Sequence, residues 1–133
     1  MRFFPLTAGL LAALIPLLAH HGTAASYDQT KTTTIKGVVT EFIWRNPHCA
    51  LFVDVKDAGG KVVNYSIEMF SPSLMVGRGY TRTVFKKGDE VTLDVHPSLA
   101  NEASGECLGC RVTVNGKEPG NPQTKGKAKG KAK

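Results

Sequence analysis

The 133-residue sequence predicts an all-β fold, a five-stranded OB-like Greek-key barrel with one short helix between the third and fourth strands. Three observations carry the prediction. Apolar and polar residues alternate with period two through several short runs. Turns rich in Gly, Pro, Asn and Asp separate these runs. The one stretch with helical character falls between the third and fourth runs, where an OB barrel places its helix. A small β-sandwich has the same strand count, and the helix position favours the barrel.

The elements follow in order. Thr32 to Trp44 is rich in Thr, Val, Ile and aromatics, the composition of a strand, and Gly37 inside it suggests a bulge. Arg45-Asn-Pro-His48 breaks this run, because Pro47 cannot donate to a ladder and pushes Asn46 out of the helical region. Leu51, Val53 and Val55 alternate with Phe52, Asp54 and Lys56 in a second strand. After the turn Asp57-Ala-Gly-Gly60, Val63, Tyr65, Ile67 and Met69 alternate with polar residues in a third. Ser71-Pro72 reads as an N-cap followed by Pro at the first helical position, and Leu74-Met75-Val76 fills one or two turns before Gly77 and Gly79. Lys86-Lys87-Gly88-Asp89 turns into a fourth strand with Val91, Leu93 and Val95. A polar loop from Pro97 to Glu106 leads to a fifth, with Leu108, Cys110, Val112 and Val114 on one face.

Both ends differ from this body. Residues 1–19 read as a signal peptide: Met1-Arg2 supplies the positive charge, and Phe3 to Ala19 is an apolar run too short and Pro-broken to span hydrocarbon. Cleavage after Ala19 frees His20 as the new N-terminus. Cleavage after Ala24 or Ala25 satisfies the small-residue rule better and discards His20 and His21. The barrel domain then occupies residues 20–118. Residues 119–133 end in a Lys-Gly-Lys-Ala repeat that can bury nothing and is expected to be disordered. Arg2 and five tail lysines account for six of the 17 basic residues, so the remaining eleven balance the 11 acids. The body is formally neutral, which gives no indication of a nucleic-acid face. The tail could adhere to an anionic surface or an envelope protein, or simply solubilise the end. The expectation is a periplasmic or secreted protein with no transmembrane span once processed.

The candidates for chemistry are few. An OB barrel brings the loop between strands 1 and 2 and the loop between strands 4 and 5 to one end. Here those loops carry His48, Cys49, His96 and Cys107, donors of the type that hold copper or zinc. His20 and His21 add an α-amine and two imidazoles, a set suited to Cu(II). Each histidine taken alone is more readily a locally bonded or solvated residue than a ligand. Cys107-Leu-Gly-Cys110 lacks a second Cys pair for a four-thiolate zinc site, and Arg111 replaces the His that haem attachment needs. Placed at the start of a strand, it points Cys110 to the core. Three cysteines in an exported chain suggest one disulfide between two of Cys49, Cys107 and Cys110, with the pairing open. No nucleophilic triad, phosphate-binding loop or carboxylate pair stands out, so the chain reads as a binding module and not an enzyme.

Five motifs in order carry a resemblance: His20-His21-Gly22, Trp44-Arg45-Asn46-Pro47-His48, Ser71-Pro72-Ser73, Arg78-Gly79-Tyr80-Thr81-Arg82 and Lys87-Gly88-Asp89. Over roughly residues 20 to 114 the chain resembles a family of small exported bacterial proteins known as a domain of unknown function. The resemblance implies an OB-like barrel, an envelope location and a mature chain that begins at the histidines; it implies no reaction. The cysteines, His96 and the Lys tail depart from the family pattern. The residues expected to bind a metal, copper foremost, are therefore His20, His21 and His48, ahead of His96, Cys49 and Cys107. Trp44 and Asn46 would shape the site, and Arg78 and Arg82 would face an anionic partner. The alternative is a metal-free adaptor that recognises a peptide, glycan or partner protein on the barrel face.

Overall fold

The computed structural model describes residues 23–100 and 102–119. The leader, His20, His21 and the Lys-rich tail lie outside the described residues. A single 3₁₀ turn at Thr23–Ser26 precedes β1 (Thr33–Ile43), β2 (Ala50–Lys56), β3 (Val62–Met69), α1 (Pro72–Gly77), β4 (Glu90–Pro97), β5 (Ser104–Cys107) and β6 (Val112–Val114). The strands pair in the order β1-β2-β3-β5-β4, and β4 returns to β1 to close the barrel. β3 and β5 run parallel and every other pair runs antiparallel, which is the OB arrangement.

Closure depends on β1 serving two partners. Its first half, Thr33 to Val38, pairs with β4, and Val38 to Ile43 pairs with β2. Gly37 sits where the strand changes partners, and a Cβ there would collide with the Asp54 carbonyl and the Val53 side chain. The bulge itself lies beyond, between Val39 and Glu41. Gly37 is thus required by the close approach of β2 and not by the bulge. The inward-facing residues read as predicted: Leu51, Val53, Ile67 and Leu93 are fully buried, each contributing about 1.5–3 kcal/mol of hydrophobic stabilisation.

The fifth strand is displaced from its expected place. The barrel closes through Ser104–Cys107, inside the stretch that reads as a polar loop, and Leu108 to Arg111 is a turn. Only Val112–Val114 of the expected run is a strand, and it extends the same edge of β4. The cysteine motif spans this turn, with Gly109 at φ +81°, so Cys107 and Cys110 meet in a disulfide. Cys107 is the one that faces the core, while Cys110 is half-buried. Cys49 remains a free, buried thiol. It neighbours Met69 through a backbone hydrogen bond, and Met69 in turn pairs with Cys107. Two strand spacings, about 9.5 Å, separate Cys49 from Cys107, too far for a bridge.

In α1, Pro72 occupies the first turn as expected, and the Ser71 carbonyl accepts from the Met75 N–H at 2.9 Å. The Ser71 hydroxyl does not cap the helix. Met75 enters the core, while Leu74 and Val76 are exposed. No helix among the described residues is long and apolar enough to cross a membrane.

Candidate functional site

The loop from Trp44 to Cys49 is held from below by aromatic packing. Phe42 meets Trp44 edge-on at 5.9 Å and Phe85 at 5.0 Å, so the end of β1 is wedged against the core. Asn46 and Pro47, joined by a cis peptide bond, are exposed at its tip. At its end, alternate residues take opposite faces: Cys49 enters the core and His48 stays half-exposed outside.

His48 meets a carboxylate there. Glu68 lies between the buried Ile67 and Met69 on β3 and so points outward. Its Oε1 is 2.8 Å from His48 Nδ1, a close electrostatic contact without the alignment of a hydrogen bond, and Oε1 has no other partner among the described residues. Its Oε2 accepts from the Tyr27 hydroxyl at 3.2 Å. One strand over, Glu106 is the register partner of both Glu68 and His96, and it is buried to 1% exposure. Gln29 Nε2 donates to Glu106 Oε2 at 2.7 Å.

These contacts come from a segment, residues 23 to 31, strapped across the outside of β3, β5 and β4. Tyr27 bridges to Ser98, Asp28 N–H donates to the Pro97 carbonyl, and Leu99 N–H donates to the Ser26 carbonyl. His96 Nδ1 lies 2.7 Å from the Lys31 carbonyl. A carbonyl only accepts, so His96 Nδ1 is the donor in this contact. Burial, then the Glu68 charge and hydrogen bond, push the Tyr27 phenol up to about 12. Asp28 anchors the turn of the strap. Donation from the Thr30 hydroxyl, then from Lys31 and the Thr30 N–H, holds its carboxyl down to about 2.

The four donors expected at one barrel end therefore divide. His48 and His96 lie outside, flanking the Glu68–Glu106 pair, while Cys49 and Cys107 point inward. Cys107 has no thiolate to offer while it is in the disulfide, and burial raises the Cys49 thiol. His20 and His21 lie outside the described residues. Among the described residues no three His, Cys, Asp or Glu side chains converge to hold an ion. Arg78 is stacked over the Phe70 ring at 4.1 Å, and Arg82 is exposed, with no hydrogen bond or ion pair among the described residues. Glu68, Tyr27, Gln29 and Glu106 escaped sequence reasoning. Each reads as an ordinary polar position, and their contacts join residues 41 and 77 apart in the chain.

One shallow concavity lies along the strap, lined by Ser26, Tyr27, Ser98, Leu99 and Ser104, and others lie away from it. A cleft of about 90 Å³ at the end of the barrel is lined by Met69, Phe70, Met75, Arg78, Cys107 and Cys110. A shallower groove on the outer face of β1 and β2 is lined by Lys36, Val38, Asp54, Lys56, Val62 and Glu90.

No curated protein and no solved structure matches the sequence or the fold. The family model that does match covers residues 9–107, which takes in the strap, the His48 loop and β1 through β5, and the chain belongs to that family of unknown function (DUF6152).

Proposed function

We propose that the protein is an exported envelope module that binds a transition metal, copper in particular, through His20, His21 and His48. The observation that supports this most is the strap. The segment that follows the histidine pair docks on the same face that carries His48, and its Tyr27 shares the Glu68 carboxylate with His48. His21 is six residues from Tyr27, so extended chain brings it within about 20 Å at most. The Glu68 charge beside Nδ1 favours a proton on that nitrogen, which would leave His48 Nε2 for a metal; a small ring rotation would complete the hydrogen bond that a carboxylate behind a ligating histidine makes. The described residues supply His48 with this support and no complete donor set, which is the role an N-terminal amine and two imidazoles would complete. Nitrogen donors suit Cu(II), which tops the divalent affinity order. No catalytic step is required of this arrangement; it binds.

Calorimetric titration with Cu(II) tests the reading. One Cu(II) binds per leader-processed chain at neutral pH and is released near pH 5 to 6 as the imidazoles protonate. His48→Ala and Glu68→Gln each weaken binding about 10- to 100-fold, whereas deleting the Lys-rich tail changes nothing. Unchanged affinity in both variants would remove His48 from the site.

A further inference from the structure

Four sulfur-bearing side chains line one cleft, the ends of β3, α1 and β5 each contributing. Met69 closes β3, Met75 is the buried residue of α1, and Cys107 and Cys110 span the turn after β5. We infer that this cleft is a second metal site, for Cu(I), formed when the Cys107–Cys110 disulfide is reduced. It uses none of the histidine donors proposed above and stands or falls independently of them.

Thiolate and thioether ligands are the soft donors that select Cu(I). The cleft holds about 90 Å³, well above the roughly 10–15 Å³ that admits a single water, so an ion fits without opening the core. Reduction by an external dithiol breaks the Cys107–Cys110 bond. Two electrons and two protons pass to the sulfurs as the dithiol closes its own disulfide. Cu(I) binding then releases both thiol protons to solvent and leaves a bis-thiolate complex with one net negative charge. Arg78 lies beside that charge. Its guanidinium stacks on Phe70, another lining residue, and comes within 3.5 Å of where a Gly109 side chain would begin. A Cβ at Gly109 would make only ordinary contact with Phe70 and Arg78; the glycine is favoured by the turn's φ of +81°, which brings the cysteine turn beside the cation. Cys49 lies in the core beyond Met69 and is not part of the lining. The family match ends at Cys107, so a site that includes Cys110 extends past the family's common region.

The test is competition for Cu(I) against a coloured chelator, without oxygen, on the full chain carrying Cys49→Ala. One sample is kept oxidised, and the other is reduced with a phosphine and desalted. The reduced chain should remove one equivalent of Cu(I) and the oxidised chain should remove none. Met69→Leu and Met75→Leu keep core volume and should each weaken transfer about 10-fold, with melting close to that of the parent. Equal uptake by both redox forms would overturn the proposal. So would no uptake by the reduced form, or unchanged affinity in both Met variants, which would describe a bare dithiol.

Discussion

Tyr27 joins two features that the site needs. Its backbone bridges to Ser98 and so helps hold the strap on the barrel, and its hydroxyl occupies one oxygen of Glu68 while the other faces His48. Ionising the phenol would place a second negative charge against Glu68, which is why burial and that carboxylate together hold it near 12. The group's pKa is raised on folding, so its stabilising contribution is complete below the unfolded value near 10 and disappears as pH rises through about 12. A spectrophotometric titration should therefore show Tyr27 ionising about two units late, apart from Tyr80, which burial also raises, and stability should fall across that window. Tyr27→Phe should remove its share of the late absorbance change and the fall in stability near pH 12, and leave the Tyr80 share in place. A phenol that titrates normally would mean that the strap is not seated as described. Asp28 works in the opposite sense: its lowered carboxyl favours the anchored strap above pH 4 and loses that contribution as pH falls toward about 2.

At the scale of elements, barrel closure rests on Gly37, where β1 passes from β4 to β2. Gly37→Ala should destabilise the domain by about 1–3 kcal/mol, measured by urea unfolding, because the new methyl meets the Asp54 carbonyl of the β2 backbone, which cannot yield, as well as the Val53 side chain. An unaffected midpoint would contradict this account of closure. Strands β1 to β4 and α1 were legible because their inward positions are Val, Ile, Leu and Met at regular spacing. β5 was not, since Ser-Gly-Glu-Cys has no β-branched residue and its buried polar member is a glutamate covered by the strap. Only its pairing with β3 and β4 makes it a strand. The cysteine turn was misplaced for the same reason: a strand beginning at Leu108 would have separated Cys107 from Cys110. The disulfide closes a very small loop, which by chain entropy contributes about 2 kcal/mol. That modest value is consistent with a domain that stays folded when the bond is reduced.

For the molecule as a whole, the place of His48 at the barrel end was legible because Pro47 marks a turn there, and the structure adds what stands behind it. Glu68, Tyr27 and Gln29 could not be read in advance, because the strap that brings them together is a tertiary contact with no periodic signature. The same strap ties the proposed N-terminal donors to the barrel, so the state of the N-terminus becomes the central variable. In the proposed site a free α-amine on His20 would be a copper donor, and one extra residue in front of it would remove that chelate while leaving both imidazoles and the whole barrel intact. The most direct measurement is Cu(II) calorimetry on two forms of the chain, one beginning at His20, confirmed by intact mass, and one with a single Met before it. Markedly tighter binding of one Cu(II) by the form that begins at His20 is the predicted result. Equal affinity in the two forms would rule out the N-terminal site, and no binding in either would contradict the metal reading and leave a metal-free adaptor.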